Sequence, residues 1–172
     1  MTVGDLNALP VTRATELFTA CCGSARWVSQ MVTRRPFESR ASVLVVADQI
    51  WGALTNSDWL EAFAHHPRIG EKAAAAGQSE RGRDWSASEQ AGVTRASESI
   101  RLAQQDMNAQ YERRFGYIYI VCATGKSANE MFAIARERLS NDPVAELKIA
   151  AEEQRKIMRL RLEKLLDNTD DR

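Results

Sequence analysis

Apolar residues recur along this chain at intervals of three and four, the period of a helix with one buried face. Leu17, Phe18 and Cys21 mark a first helix closed by Gly23, and residues 26–33 read as a second that stops before Pro36. Val43, Leu44, Ala47, Ile50, Trp51 and Leu54 continue the pattern, with Ser39 placed to cap them. Ser57 is positioned to cap a short helix carrying Leu60 and Phe63 and ending near His65. From residue 70 to 85 glycine and charge replace the apolar positions, so this stretch reads as irregular. A long helix is expected from 87 to about 111, with Val93, Ile100 and Met107 facing inward. Ser127 with Glu130 forms a capping box for the next helix, which ends near Ser140. Asp142 followed by Pro143 opens a last long helix through Leu147, Ile157, Leu160 and Leu165.

One segment breaks the rule. Tyr117-Ile118-Tyr119-Ile120-Val121-Cys122 has the look of a strand, yet nothing else in the chain resembles a partner for it. A lone strand cannot satisfy its own backbone, so its N–H and C=O groups need other partners, a bound ligand among them. The reading is an all-α fold, residues 1–172 forming a single compact domain of roughly seven to nine helices.

At 172 residues the chain can bury a core without disulfides. Twenty-three basic residues balance 23 acidic ones, so no net field favours nucleic acid or a membrane surface, and no window approaches the apolar length of a transmembrane helix. The N-terminus lacks the basic start and apolar run of a signal peptide. Three cysteines, two of them adjacent at Cys21 and Cys22, suit reduced thiols in a cytoplasmic protein.

The chemistry-bearing residues concentrate in two short segments, His65-His66-Pro67-Arg68-Ile69-Gly70 and Trp85-Ser86-Ala87-Ser88-Glu89-Gln90. The only two histidines of the chain are His65 and His66, which leaves few other groups for proton transfer near neutral pH. Pro67 biases His66 away from the α region and sets its imidazole on extended backbone, although a His-Pro leaving a helix is also an ordinary structural turn. Adjacent histidines with no third His and no Cys at zinc spacing do not make a metal site. Ser86-x-x-Glu89 fits a capping box, in which Glu89 would simply bond the Ser86 backbone; the same helix start could hold an anionic or amide-bearing ligand. Gly125-Lys126-Ser127 is no P-loop, because Ile120 stands where that motif needs glycine. Arg155, Arg159 and Arg161 read as a solvated face from which one guanidinium could turn inward to hold a carboxylate.

Taken in order, these segments resemble the 2-oxo-4-hydroxy-4-carboxy-5-ureidoimidazoline (OHCU) decarboxylases of urate degradation. The marks are Leu6-Asn7, Arg35-Pro36-Phe37, Ala62-Phe63 before His66-Pro67-Arg68-Ile69-Gly70, and Ser86-x-x-Glu89-Gln90. Further on come Asn108-x-x-Tyr111-x-x-Arg114-Phe115-Gly116-Tyr117, the run ending Cys122-Ala123, Arg138-Leu139 with Glu146, and Arg161-Leu162. The resemblance implies a helical, cofactor-free and metal-free enzyme that removes CO2 from OHCU to give (S)-allantoin. It implies His66 as the acid–base residue with Glu89 beside it. Substrate contacts would come from Pro67, from Ser86, Ala87, Ser88, Glu89 and Gln90, from the backbone of Tyr119, Ile120, Val121, Cys122 and Ala123, and from Arg161. Some members carry a transthyretin-like domain, for which this sequence has no room, and it lacks a peroxisomal C-terminal signal. The partner is then a small molecule, with a homodimer compatible. The other readings are a helical interaction module without chemistry, or an amidohydrolase-like enzyme of the same pathway.

Overall fold

The computed structural model describes residues 1–70, 79–89 and 98–167. Among them are nine helices: α1 (Val3–Ala8), α2 (Val11–Cys21), α3 (Ala25–Thr33), α4 (Arg40–Gly52), α5 (Asn56–Ala64), α6 (Glu80–Glu89), α7 (Glu98–Phe115), α8 (Ala128–Arg138) and α9 (Pro143–Leu166). No strand occurs among the described residues, in keeping with the all-α reading. The chain divides into two compact units, one of Met1–Ala62 with Arg155–Arg172, the other Phe63–Gln154.

In the first unit, aromatic and sulfur side chains meet where the helical period put them. Leu6, Phe18, Trp27, Met31 and Val43 are fully buried. Phe18 and Trp27 pack edge to face at 5.9 Å, and the Trp27 indole N–H donates to the Ala47 carbonyl at 3.1 Å. That bond removes the one polar atom burial would strand. Asn7 and Phe37 exchange two bonds of 2.8 Å, side-chain amide to backbone carbonyl and backbone N–H to side-chain oxygen. Arg35 caps the end of α1 by donating to the Leu6 and Leu9 carbonyls at 3.0 and 2.8 Å. Asp48 on α4 receives Arg155 at 3.0 Å and also Arg159, both from the last part of α9.

The caps show where local sequence was followed and where it was not. Ser39 and Ser127 cap α4 and α8 as expected, the latter in a full capping box with Glu130. At α5 the capping residue is Thr55, not Ser57: the Thr55 N–H donates to Asp58 at 2.8 Å, and its hydroxyl accepts the Asp58 N–H at 3.4 Å. The short α1, capped by Thr2 with Asp5, carries too few apolar positions to be seen as a period.

The largest departure is α6. Residues 80–85 are helical, not irregular, and the helix starts at Ser79, whose hydroxyl accepts the Gly82 N–H at 3.1 Å. Ser86 and Glu89 therefore lie in its second half, and Ser86-x-x-Glu89 is not a capping box. The expected helix from 87 to 111 is in fact α6 up to Glu89 and α7 from Glu98, and Val93 lies outside the described residues. A chain of charged residues with one buried glycine shows no apolar period, so α6 was hidden from pattern reading. Ser79→Ala should lower the unfolding free energy by about 1 kcal/mol in a urea titration, the usual worth of an N-cap. Glu89→Gln should leave it unchanged.

Candidate active site

The second unit holds both sequence segments. α5 ends at Ala64, and a tight turn follows in which the His66 N–H donates to the Phe63 carbonyl at 3.0 Å. The residues after His66 are tied to α7. Asn108 donates to the Ile69 carbonyl at 2.9 Å and is itself held by Gln104, also at 2.9 Å. One turn further along α7, Glu112 takes Arg68 in a two-pronged ion pair, one prong at 2.9 Å. Asn108 and Glu112 are four apart and so share a face of the helix. Ile69 is buried in the core of this unit, and Gly70 adopts a positive φ of 81°. His66 itself is half-buried, and its place is set by what its neighbours grip.

On α6, Ser86 is buried and Glu89 half-buried, whereas Ala87 and Ser88 are exposed. Ser86 and Glu89 are three apart, one face of a helix. With Ser86 inside the helix, the capping explanation for Glu89 fails, and its half-buried placement needs another reason. The ring of amides that a helix start would offer an anion is likewise not at Ser86. Gln90 lies outside the described residues.

The strand-like segment is neither helix nor strand and is buried from Tyr119 to Ala123, and its backbone is met by side chains. Arg138 donates to the Ile120 carbonyl at 2.9 Å, Glu153 accepts the Cys122 N–H at 2.7 Å, and Lys126 donates to the Cys122 carbonyl at 2.7 Å. The Tyr119 hydroxyl donates to the Met131 carbonyl at 3.1 Å. Among the described residues, no hydrogen bond is made by the Ile120 N–H or by either backbone group of Val121.

Behind the segment lies a buried charge network. Glu146 is wholly buried and receives Arg138 Nε at 2.8 Å, Asn141 at 2.7 Å and the Tyr111 hydroxyl. The Arg138 guanidinium lies over the Tyr119 ring at 5.0 Å and the Tyr111 ring at 5.9 Å. Burial works against its charge, but the hydrogen bonds to Glu146 and the charge of that carboxylate outweigh it and raise its pKa. Burial raises the Tyr111 and Tyr119 hydroxyls well above the ordinary phenol value, so both remain protonated donors.

Burial also pushes the Cys122 thiol up, with the Glu153 and Glu89 carboxylates adding to the shift and Lys126 opposing it. The charge of Glu89 is thus felt at the strand-like segment. That electrostatic reach connects α6 with residues 119–123 inside one unit.

Arg161 belongs to the other unit. It is buried there, donates to the Ala20 carbonyl at 3.2 Å, and lies near enough to the Cys22 thiol to favour its anion. Burial dominates at Cys22 and pushes that thiol up to about 12. The ligand-facing role of Arg161 is carried by the resemblance alone. Among the described residues no group of three or more His, Cys, Asp or Glu side chains could hold a metal ion.

Comparison with known proteins bears directly on this arrangement. The family model for OHCU decarboxylase matches residues 7–163. The chain belongs to the OHCU decarboxylase family. A crystal structure of an OHCU decarboxylase in the presence of (S)-allantoin is similar with a TM-score of 0.77 and 35% identity, over 89% of this chain and 99% of that one. The uric acid degradation bifunctional protein TTL of Arabidopsis thaliana is 39% identical over 148 residues, 86% of this chain and 46% of that protein. The 2-oxo-4-hydroxy-4-carboxy-5-ureidoimidazoline decarboxylase of Amia calva is 36% identical over 77 residues, 45% of this chain and 44% of the relative. The chain spans about half the length of the curated relatives it matches.

Sequence reasoning named Asn108 and Arg138 only as marks of the family and gave no structural role to them or to Glu112, Glu153 and Lys126. Asn108 and Glu112 gave a signal, their spacing of four on one helix. Glu153, Lys126 and Arg138 gave none that could be tied to residues 120–122, because backbone partners cannot be read from side-chain type. Arg138→Met would strip Glu146 of its charge partner in the interior. It should destabilise the protein by about 3–5 kcal/mol in urea unfolding. A loss under about 1 kcal/mol would mean that the pair is solvated in solution.

Proposed function

We propose that this chain is a cytoplasmic enzyme that decarboxylates OHCU to (S)-allantoin in urate degradation without metal or cofactor. In this reading residues 1–172 form one OHCU decarboxylase-like domain, working alone or as a homodimer. The observation that carries the proposal is the family match across residues 7–163, which takes in every candidate site residue. The pinned His66 loop, the half-buried Glu89 and the partly unpaired backbone at residues 120–121 support it. No helix of the described chain is long and apolar enough to cross a membrane.

The substrate carries a hydroxyl and a carboxylate on one ring carbon, next to a C=N bond. When the carbon–carboxylate bond breaks, CO2 leaves without the electron pair, which spreads into the C=N unit. The substrate is its own electron sink, so the protein needs to supply only placement and proton handling. His66 bonds the hydroxyl and carboxylate, aligning the breaking bond with the π-system. Glu89 orients His66 or accepts a ring N–H. The resemblance gives substrate contacts to Pro67, Ser86, Ala87, Ser88 and Gln90, and in this reading the backbone of residues 119–123 reads the ureido arm. Protonation on one face then sets the stereochemistry.

Coupling the protein to urate oxidase and hydroxyisourate hydrolase and following optical activity tests the activity itself. Accelerated formation of (S)-allantoin is expected; unchanged, racemic product would leave only a helical module without chemistry. In the same assay His66→Ala should nearly abolish enantioselective turnover while the fold is retained, and His65→Ala should be mild. The reverse ranking at unchanged stability would move the acid–base role to His65. Glu89→Gln should cut turnover by about a hundredfold or more at unchanged melting temperature, the scale of an acid–base group. Full turnover in that variant would remove Glu89 from the chemistry.

A further inference from the structure

Three consecutive peptide units of the strand-like segment are each held at one end by a charged side chain. Arg138 donates to the Ile120 carbonyl at 2.9 Å, Glu153 accepts the Cys122 N–H at 2.7 Å, and Lys126 donates to the Cys122 carbonyl at 2.7 Å. The signs alternate along the chain: cation on carbonyl, carboxylate on N–H, cation on carbonyl. All three units are trans, and in a trans peptide the N–H and C=O point in opposite directions. The other end of each unit therefore points away from the charge that holds it. Those ends are the Val121 N–H, the Val121 carbonyl and the Ala123 N–H. None of them makes a hydrogen bond among the described residues, although both residues are buried.

Donor, acceptor and donor in succession suit a ligand rich in neutral N–H and C=O groups, as a ureide is. The charged grips do more than hold the backbone. A peptide whose N–H is bonded to a carboxylate has a stronger acceptor in its carbonyl, and one whose carbonyl is bonded to a cation has a stronger donor in its N–H, because linked hydrogen bonds polarise one another. The Val121 carbonyl is the acceptor of the three, and Glu153 on α9 holds its unit. Lys126, half-buried in the turn before α8, holds the next unit, so both peptide units that meet at Cys122 are fixed. Cys122 is also where the charge of Glu89 is felt, which links the held residue to the candidate acid–base site.

We infer that Glu153 and Lys126 are positioning residues: by gripping the two peptide units that meet at Cys122, they keep the Val121 carbonyl and the Ala123 N–H turned to the ureido arm of the substrate. This rests on the proposed decarboxylase reading, in which the backbone of residues 119–123 reads that arm. It adds the two side chains that set which backbone groups are presented. Both act through Cys122, and neither needs to touch the substrate. The ureido arm lies outside the breaking bond, so its contacts are alike in the bound substrate and the transition state. Their loss then appears in KM rather than in kcat.

The test compares Glu153→Met, Glu153→Gln and Lys126→Met in the purified full chain, reading KM and kcat for OHCU and the Kd of (S)-allantoin. Met removes the gripping group at similar length, whereas Gln keeps an oxygen for the Cys122 N–H and removes only the charge. Both Met variants should raise KM and Kd about tenfold, the scale of one hydrogen bond, with kcat little altered. Glu153→Gln should recover part of that loss. A wild-type KM in either folded Met variant overturns the inference. So does a Glu153→Gln protein as impaired as Glu153→Met, because the bond to Cys122 would then not be what matters. If Glu153→Met does not fold, Lys126→Met decides alone: a raised KM supports the role and an unchanged one ends it. A wild-type protein that neither turns over OHCU nor binds (S)-allantoin rejects the decarboxylase reading, and the positioning role with it; an active wild type with unimpaired variants rejects the positioning role only.

Discussion

The second unit depends on a buried ion pair. Arg138 and Glu146 are both withdrawn from water, an arrangement that two charges tolerate only when their remaining polar atoms are also satisfied. Here they nearly all are. Glu146 receives Arg138, Asn141 and Tyr111; Arg138 spends its further donors on the Ile120 carbonyl and the Tyr111 hydroxyl. The pair thus ties three helices, α7, α8 and α9, to a strand-like segment that has no strand beside it among the described residues. Without it the Ile120 carbonyl would be a buried acceptor with nothing to accept.

The same economy of backbone partners governs the histidine loop. The described bonds that fix it are that of the His66 N–H to the Phe63 carbonyl and, after it, those made by Arg68 and Ile69. α7 supplies the grips through Asn108 and Glu112, and the same helix supplies Tyr111 to the charge network. One helix therefore positions both the histidine loop and the clamp behind residues 119–123. The residue proposed as acid–base group thus sits in a loop held by rigid neighbours on both sides.

Glu89 shows how a motif can be right in content and wrong in context. Ser86-x-x-Glu89 has the composition of a helix start, yet Ser79 begins the helix and the pair falls inside it. The consequence is chemical as well as structural. A capping glutamate would be committed to the backbone of its own first turn, whereas Glu89 stands half-buried near the end of its helix. Its charge is already felt at Cys122, in the segment proposed to read the substrate.

What the sequence determined by itself follows from interactions that act over one or two turns. The helical period placed the cores of α2, α3, α4 and α9, and local caps placed the starts of α4 and α8, because a side chain four residues away is always a neighbour in a helix. The ordered motifs identified the family, and with it the positions of His66 and Glu89. Tertiary structure decided what local rules cannot reach. It made a helix of a charged stretch at α6, gave Arg138, Glu153 and Lys126 to the backbone of residues 120–122, and left Gln154 buried without a partner. The Cys122 bond to Glu153 and the Ile69 bond to Asn108 join residues 31 and 39 positions apart. No periodicity or spacing encodes such pairs, because which backbone group meets which side chain is settled only when the helices pack.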